Sequence, residues 1–216
     1  MMEPMPRIYL ATTNPGKLRE LQEAAQPSGV EVEVLPELST IPPAVEDGDT
    51  FEENARIKAE YYSRHAEGRL VLAEDSGLEV DELQGAPGVY SARYAAILKN
   101  GSAGHENSDD QANNKALIAQ LHRLPPGPHA GRYVCVMALA RDGTTLATVR
   151  GEAEGELIAN PRGTGGFGYD PLFYFPQLGK TFAELPLAEK RRHSHRGQAF
   201  RRFVDWYTSA EAQAQL

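Results

Sequence analysis

The chain reads as an α/β protein, a long mixed β-sheet with helices packed on its faces. Two patterns predict this. In the first half, apolar strand-like runs alternate with amphipathic helices, as in βα units. Beyond residue 131 such runs follow one another with only short turns between them, as in hairpins. Length is the third indication, since 216 residues bury a substantial core as one domain or two small lobes.

Each element has a local reason. Residues 7–11 form a short apolar strand, and Thr12-Thr13-Asn14-Pro15-Gly16-Lys17 leads from it into an amphipathic helix starting near Leu18. Residues 30–35 alternate at strand period. Thr50-Phe51-Glu52-Glu53 is a capping box, which predicts a helix running to about His65. Residues 70–73 and 78–83 read as strands around a sharp turn at Asp75-Ser76-Gly77. The polar stretch 99–107 is an expected surface loop, and 109–123 an expected helix. Residues 124–131, with three prolines and two glycines, form a break and the expected lobe boundary. Strand-like runs follow at 132–141, 145–150 and 153–158. A short strand then ends at Pro176, and a last helix covers about 197–211. Residues 1–6 are read as a loose tail, 7–207 as a single domain of two lobes, and 208–216 as the end of the last helix.

Composition narrows the function. A net charge of −8 argues against nucleic-acid or membrane partners, and no apolar run approaches the length of a membrane span. The N-terminus lacks the apolar core of a signal peptide. The one cysteine, Cys135, sits in the apolar run 133–140 and reads as a core residue; no disulfide can form within the chain, which fits a cytoplasmic protein.

The most informative stretch is Gly163-Thr-Gly-Gly-Phe-Gly-Tyr-Asp-Pro171. Its glycines allow another molecule to approach the main chain, an aromatic there can stack on a flat ring, and a carboxylate beside it can accept a hydrogen bond from one. The alternative is a glycine-rich hairpin whose aromatics fill the core. Gly163, Gly165 and Gly168 match the dinucleotide fingerprint literally, but they follow a polar turn and precede a short strand rather than open a βαβ unit.

Five further places could carry chemistry. The turn Thr12–Lys17 is either an anion site at a helix N-terminus or a plain capping turn. Phe51, Ala55, Lys58 and Tyr62 share one helix face, so Lys58 either snorkels to solvent or meets a buried anion. Glu46-Asp47-Gly48-Asp49 is either solvated or supplies a ligand to a divalent cation. Glu74-Asp75-Ser76-Gly77 ends a buried run; it is either a hairpin turn or a carboxylate site for Mg²⁺ or for activating water. Between Glu189 and Gly197, charge concentrates just before the last helix. His193 and His195 lack a third metal ligand nearby, and the stretch is either a solvated basic loop or a donor cluster facing carbonyl or phosphate oxygens.

Taken together, the chain resembles the inosine triphosphate pyrophosphatase family, which hydrolyses non-standard purine nucleoside triphosphates. The blocks are ATTNPGKLREL at 11–21, GDTFEENARIKA at 48–59, AEDSGLEVDELQGAPGVYSARYA at 73–95, GTGGFGYDPLF at 163–173 and SHRGQAF at 194–200. Departures are a short N-terminal extension, Glu74 where many members have aspartate, and a polar insert near 101–107. The resemblance implies two lobes with the active site in the cleft between them, a homodimer, and Mg²⁺-dependent release of a nucleoside monophosphate and pyrophosphate. Carried onto this chain, Thr12, Thr13, Asn14, Lys17, Lys58 and Ser76 hold the triphosphate, and Lys58 and Asp75 are catalytic. Glu46 and Asp75 engage the metal, with Asp75 also the base for water. Phe167 stacks on the purine, Gly168, Tyr169 and Asp170 shape its pocket, and Lys190, His195 and Arg196 address its edge. Two alternatives remain at this point, a related pyrophosphatase acting on modified or pyrimidine nucleotides and a non-enzymatic nucleotide sensor.

Overall fold

The computed structural model describes residues 6–101 and 107–216. A seven-stranded sheet has the hydrogen-bonded order β2-β1-β3-β4-β5-β6-β7. Its strands are β1 (Ile8–Leu10), β2 (Val32–Val34), β3 (Leu70–Val80), β4 (His129–Arg141), β5 (Thr144–Leu157), β6 (Phe173–Phe175) and β7 (Lys180–Thr181). β1 pairs in parallel with both β2 and β3, whereas β5–β6 and β6–β7 are antiparallel. The sheet is therefore mixed, as the change from βα alternation to hairpins predicts.

Among the described residues the α-helices are α1 (Pro15–Ala25), α2 (Phe51–Arg64), α3 (Tyr94–Asn100), α4 (Asp110–Leu121), α5 (Leu187–His193), α6 (His195–Tyr207) and α7 (Ala210–Gln215). The chain divides into two compact units. The first comprises 1–75, 135–151 and 191–216, and the second 76–134 and 152–190. In the first, Ile8, Leu10, Leu70, Leu72, Met137 and Leu139 of the strands meet Leu21, Ala24 and Ala25 of α1 and Phe200 and Phe203 of α6. The core of the second joins Leu78, Val80, Tyr133, Leu157, Phe173 and Phe182 to Leu117 and Leu121 of α4.

Four expectations need correction. The turn at Asp75-Ser76-Gly77 does not exist. β3 runs straight through it with buried residues on both faces; β1 pairs only with Leu70–Leu72, and beyond it the strand continues beside β4, where a break would orphan its backbone groups. Likewise 145–150 and 153–158 are one strand, β5. Gly151 reads as a break in sequence, but here it lets α6 lie on the strand: a side chain would overlap the His195 carbonyl and the Ala199 amide. The break at 124–131 lies inside the second unit and is not a boundary. The last helix is two, α6 and α7, separated where Ser209 caps the second. The expected loop at 99–107 closes α3 with its first two residues, while 102–106 lie outside the described residues.

Candidate active site

The chemistry in the first unit is organised by strand alternation. Successive side chains of β3 point to opposite faces, so Glu74 and Asp75 serve different clusters. Asp75 faces α2, where its Oδ1 accepts a 2.7 Å bond from Lys58 Nζ. The same ammonium donates to Glu46 Oε2 at 2.8 Å. This decides the Lys58 question in favour of a buried anion, Asp75, with the more exposed Glu46 as a second partner. Lys58 does not snorkel, because its side chain is only 11% exposed. Burial lowers its pKa, but Asp75 and Glu46 outweigh burial and leave it raised, so the ammonium is charged. Burial raises the Asp75 pKa more than Lys58 and Lys17 lower it, with the Glu46 charge adding to the rise. A carboxylate so placed is a better base than an ordinary aspartate.

The α2 turn that delivers these groups is tightly built. Thr50 and Glu53 form the reciprocal capping box expected of them. Asn54 Oδ1 accepts from the Gly48 amide at 2.9 Å, which folds the 46–49 segment back on the helix. A side chain at Gly48 would collide with Glu53 and Asn54.

Glu74 faces the other way. Its two oxygens receive Arg196 Nε at 2.7 Å and Nη2 at 2.9 Å, and Lys17 Nζ lies 3.1 Å from Oε1. Arg196 Nη1 in turn donates to Glu20 Oε2 at 2.5 Å. Lys17–Glu74–Arg196–Glu20 is thus a chain of alternating charge that starts and ends on α1 and passes through β3 and α6. Burial raises the Glu74 carboxyl, but Arg196 and Lys17 outweigh it and hold the group well below the usual range. Cys135 borders this chain of charges, 3.4 Å from Glu74, with its thiol pushed up by burial and by that carboxylate; it is a core residue, as expected.

At the start of α1 the Asn14 side chain accepts from the Gly16 and Lys17 amides at 2.9 and 3.0 Å. Pro15 at the first helical position has no N–H. The amides of this turn are thus used in capping, and an anion here would meet side chains: Lys17 and the Thr12 and Thr13 hydroxyls. Ser76 is half-buried at the step from the first unit to the second.

In the second unit the glycine-rich stretch is a fixed loop. Asp170 is buried; its Oδ2 accepts from the Phe167 amide at 2.9 Å and from Lys190 Nζ at 2.5 Å. The Lys190 ammonium stands 5.1 Å from the centroid of the half-buried Phe167 ring. Gly166, at φ +71°, leaves room for the Asp170 carboxylate where any side chain would strike it. Tyr169 is buried, its hydroxyl donates to the Ser91 carbonyl at 2.8 Å, and burial raises its pKa. Tyr169 is thus packed into the core, whereas the Phe167 ring is half-buried.

The structure therefore brings Glu46, Lys58 and Asp75 together, and Phe167, Asp170 and Lys190 together. His195 opens α6 behind its Ser194 cap and is buried. Arg196, expected at the purine edge, has a carboxylate on each of its three nitrogens. Among the described residues no group of three or more His, Cys, Asp or Glu is placed to hold a metal. Two oxygens converging on one ammonium, as in Glu46 and Asp75, still suit Mg²⁺, which takes one or two carboxylates and completes its shell with phosphates and water. Sequence reasoning missed Glu20 altogether and saw Glu74 as part of a turn or carboxylate site and as a departure from the family pattern, not as the partner of Arg196 and Lys17. The signal for Glu20 was the one that exposed Lys58, a charge on the apolar face of an amphipathic helix beside Leu21, Ala24 and Ala25.

The Ham1 family matches residues 8–206. The chain belongs to the Ham1 family. It is 50% identical over 194 residues to a dITP/XTP pyrophosphatase of Acidobacterium capsulatum, which covers 90% of this chain and 94% of that one. A dITP/XTP pyrophosphatase of Desulforamulus reducens is 43% identical over 199 residues, or 92% of this chain and 94% of the other. Among solved structures, a HAM1 protein from Coxiella burnetii superposes with a TM-score of 0.80 at 37% identity, over 95% of this chain and all of its own. Ham1 membership agrees with the resemblance carried by the five motif blocks.

Proposed function

We propose that this Ham1 protein is a nucleoside-triphosphate pyrophosphatase that hydrolyses non-standard purine nucleotides, ITP, dITP and XTP, to the monophosphate and pyrophosphate. The observation that carries this reading is the Glu46–Lys58–Asp75 contact, one buried and one exposed carboxylate converging on a buried ammonium. The names of the relatives, dITP/XTP pyrophosphatase, support it.

Thr12, Thr13, Asn14, Lys17, Lys58 and Ser76 hold the triphosphate in this reading. Glu46 and Asp75 hold Mg²⁺, which when bound neutralises phosphate charge. Asp75 accepts a proton from water, whose oxygen attacks the α-phosphorus; the α–β bridging P–O bond breaks and its electrons leave with pyrophosphate. Lys17 and Lys58 stabilise the growing charge. Phe167 stacks on the base, and Gly168, Tyr169 and Asp170 shape its pocket.

Base selection follows from edge chemistry. Hypoxanthine and xanthine carry a carbonyl at purine position 6, where adenine carries an amine. Donors on Lys190, His195 and Arg196, the last oriented by Glu20 and Glu74, satisfy the carbonyl and meet the amine like against like. A homodimer in the cytoplasm completes the reading; among the described residues no helix is long and apolar enough to cross a membrane.

The test is phosphorus NMR of ITP turnover with Mg²⁺, alongside a panel containing ATP and modified and pyrimidine triphosphates. Monophosphate and pyrophosphate should be the first products. The kcat/KM for ITP or XTP should exceed that for ATP by at least about 10²-fold, a floor for a pocket that leaves a mismatched polar edge unpaired. Orthophosphate as a first product would sink the mechanism, and equal use of ATP and ITP would sink the specificity.

A further inference from the structure

The loop that carries Phe167 poses a physical problem. Gly163, Gly165, Gly166 and Gly168 give the backbone great freedom, and three of them sit at positive φ, +80°, +71° and +62°. A ring on such a chain stacks well only if something outside the loop fixes it, because ordering glycine is entropically expensive.

Two side chains of α4 do this. Asp110 Oδ2 accepts from the Gly168 amide at 2.7 Å, and Asn114 Nδ2 donates to the Gly168 carbonyl at 3.0 Å. They lie one helical turn apart on one face of α4, so a single face grips the donor and the acceptor of the residue after Phe167. The helix is a firm support: Asp109 caps it, Leu117 and Leu121 are buried, and Asn113 bonds the Ala95 amide and the Ala92 carbonyl. Asn114 Oδ1 is buried without a hydrogen-bond partner. An orphaned acceptor is a cost, so the donor end of that amide is what the position uses.

We propose that Asp110 and Asn114 are positioning residues for purine recognition, clamping the Gly168 peptide so that the Phe167 ring is held ready for a base. The proposal rests on the reading of Phe167 as the stacking ring. Both residues are distant from that motif in sequence and touch the base only through the loop they hold.

The test compares Asp110→Ala, Asn114→Asp and the conservative Asp110→Asn, with Phe167→Ala as reference, by steady-state kinetics on ITP and ATP. Asp110→Ala removes the acceptor at an exposed site, and Asn114→Asp sets an acceptor against the Gly168 carbonyl without changing volume. Each should raise KM for both purines roughly three- to tenfold, the worth of one net hydrogen bond. The kcat should stay within about twofold, and inhibition by inorganic pyrophosphate should not change. Asp110→Asn keeps an acceptor and should stay near wild type. If Phe167→Ala raises KM and the clamp variants do not, the clamp is refuted while the stacking reading stands. If Phe167→Ala leaves KM unchanged, the stacking reading itself fails. Equal losses in kcat and in pyrophosphate inhibition, together with a lowered melting temperature, would show that α4 merely supports the fold, and would also overturn the proposal.

Discussion

Replacing Lys58 with methionine removes the ammonium but keeps a flexible apolar stem on a helix face that already carries Phe51 and Ala55. The ammonium sits 2.8 Å from Glu46 and 2.7 Å from Asp75, so its loss strands two carboxylates at once. Glu46, with a side chain 36% exposed, can turn to water; Asp75, at 10%, cannot. Breaking a buried pair by removing one partner costs about 3–5 kcal/mol. Because Glu46 relieves itself, the lower end applies, and we expect about 3 kcal/mol of lost stability in metal-free protein. The Asp75 pKa, already raised, rises further without its cation, so the base is held protonated more of the time. With the loss of phosphate stabilisation, kcat should fall by about 10²-fold or more. Urea unfolding followed by circular dichroism reads the first quantity, and pyrophosphate release from ITP reads the second. Adding Asp75→Asn to the variant should recover part of the stability, since the stranded charge is gone, while turnover stays lost. A Lys58→Met protein with kcat within twofold of wild type and less than about 1 kcal/mol of lost stability would refute the reasoning.

Two other substitutions probe the remaining charges. Asp75→Asn should lower kcat by about 10²–10⁴-fold, the worth of a general base, without unfolding the protein; a variant keeping more than roughly a tenth of the wild-type rate would exclude Asp75 from both roles. Arg196→Ala strands Glu20 and Glu74 in a buried site and should cost about 3–5 kcal/mol in urea unfolding, with activity on ITP falling further than on ATP. Glu74 has a folded pKa below its unfolded value near 4.5, so its contribution is present above that pH and lost as pH falls through the lowered folded value. Arg196→Ala should therefore flatten the decline in stability below about pH 4.5, and an unchanged acid profile would count against the Arg196–Glu74 pair.

Much of this protein was legible in the chain itself. The mixed sheet follows from a change of periodicity, and the α2 capping box was readable from Thr50 and Glu53 because it is satisfied within one helical turn. The motif blocks named the family because side chains that meet the same chemistry recur at fixed spacing. Strand continuity was not legible. Asp75-Ser76-Gly77 and Gly151 carry turn-forming residues, and local preference cannot register that neighbouring strands hold β3 in line or that α6 needs the room Gly151 leaves. Nor could the sequence pair the charges. A lysine on an apolar helix face announces a buried partner without naming it, since Glu46 and Asp75 come from separate segments and Glu20 meets Arg196 across 176 residues. The same holds for the grip of Asp110 and Asn114 on Gly168, distant in sequence and joined by backbone bonds that leave no residue pattern. Local hydrogen bonding and periodicity are written along the chain; which charge neutralises which, and what holds a glycine loop still, are set only when distant segments are brought within about 3 Å of one another.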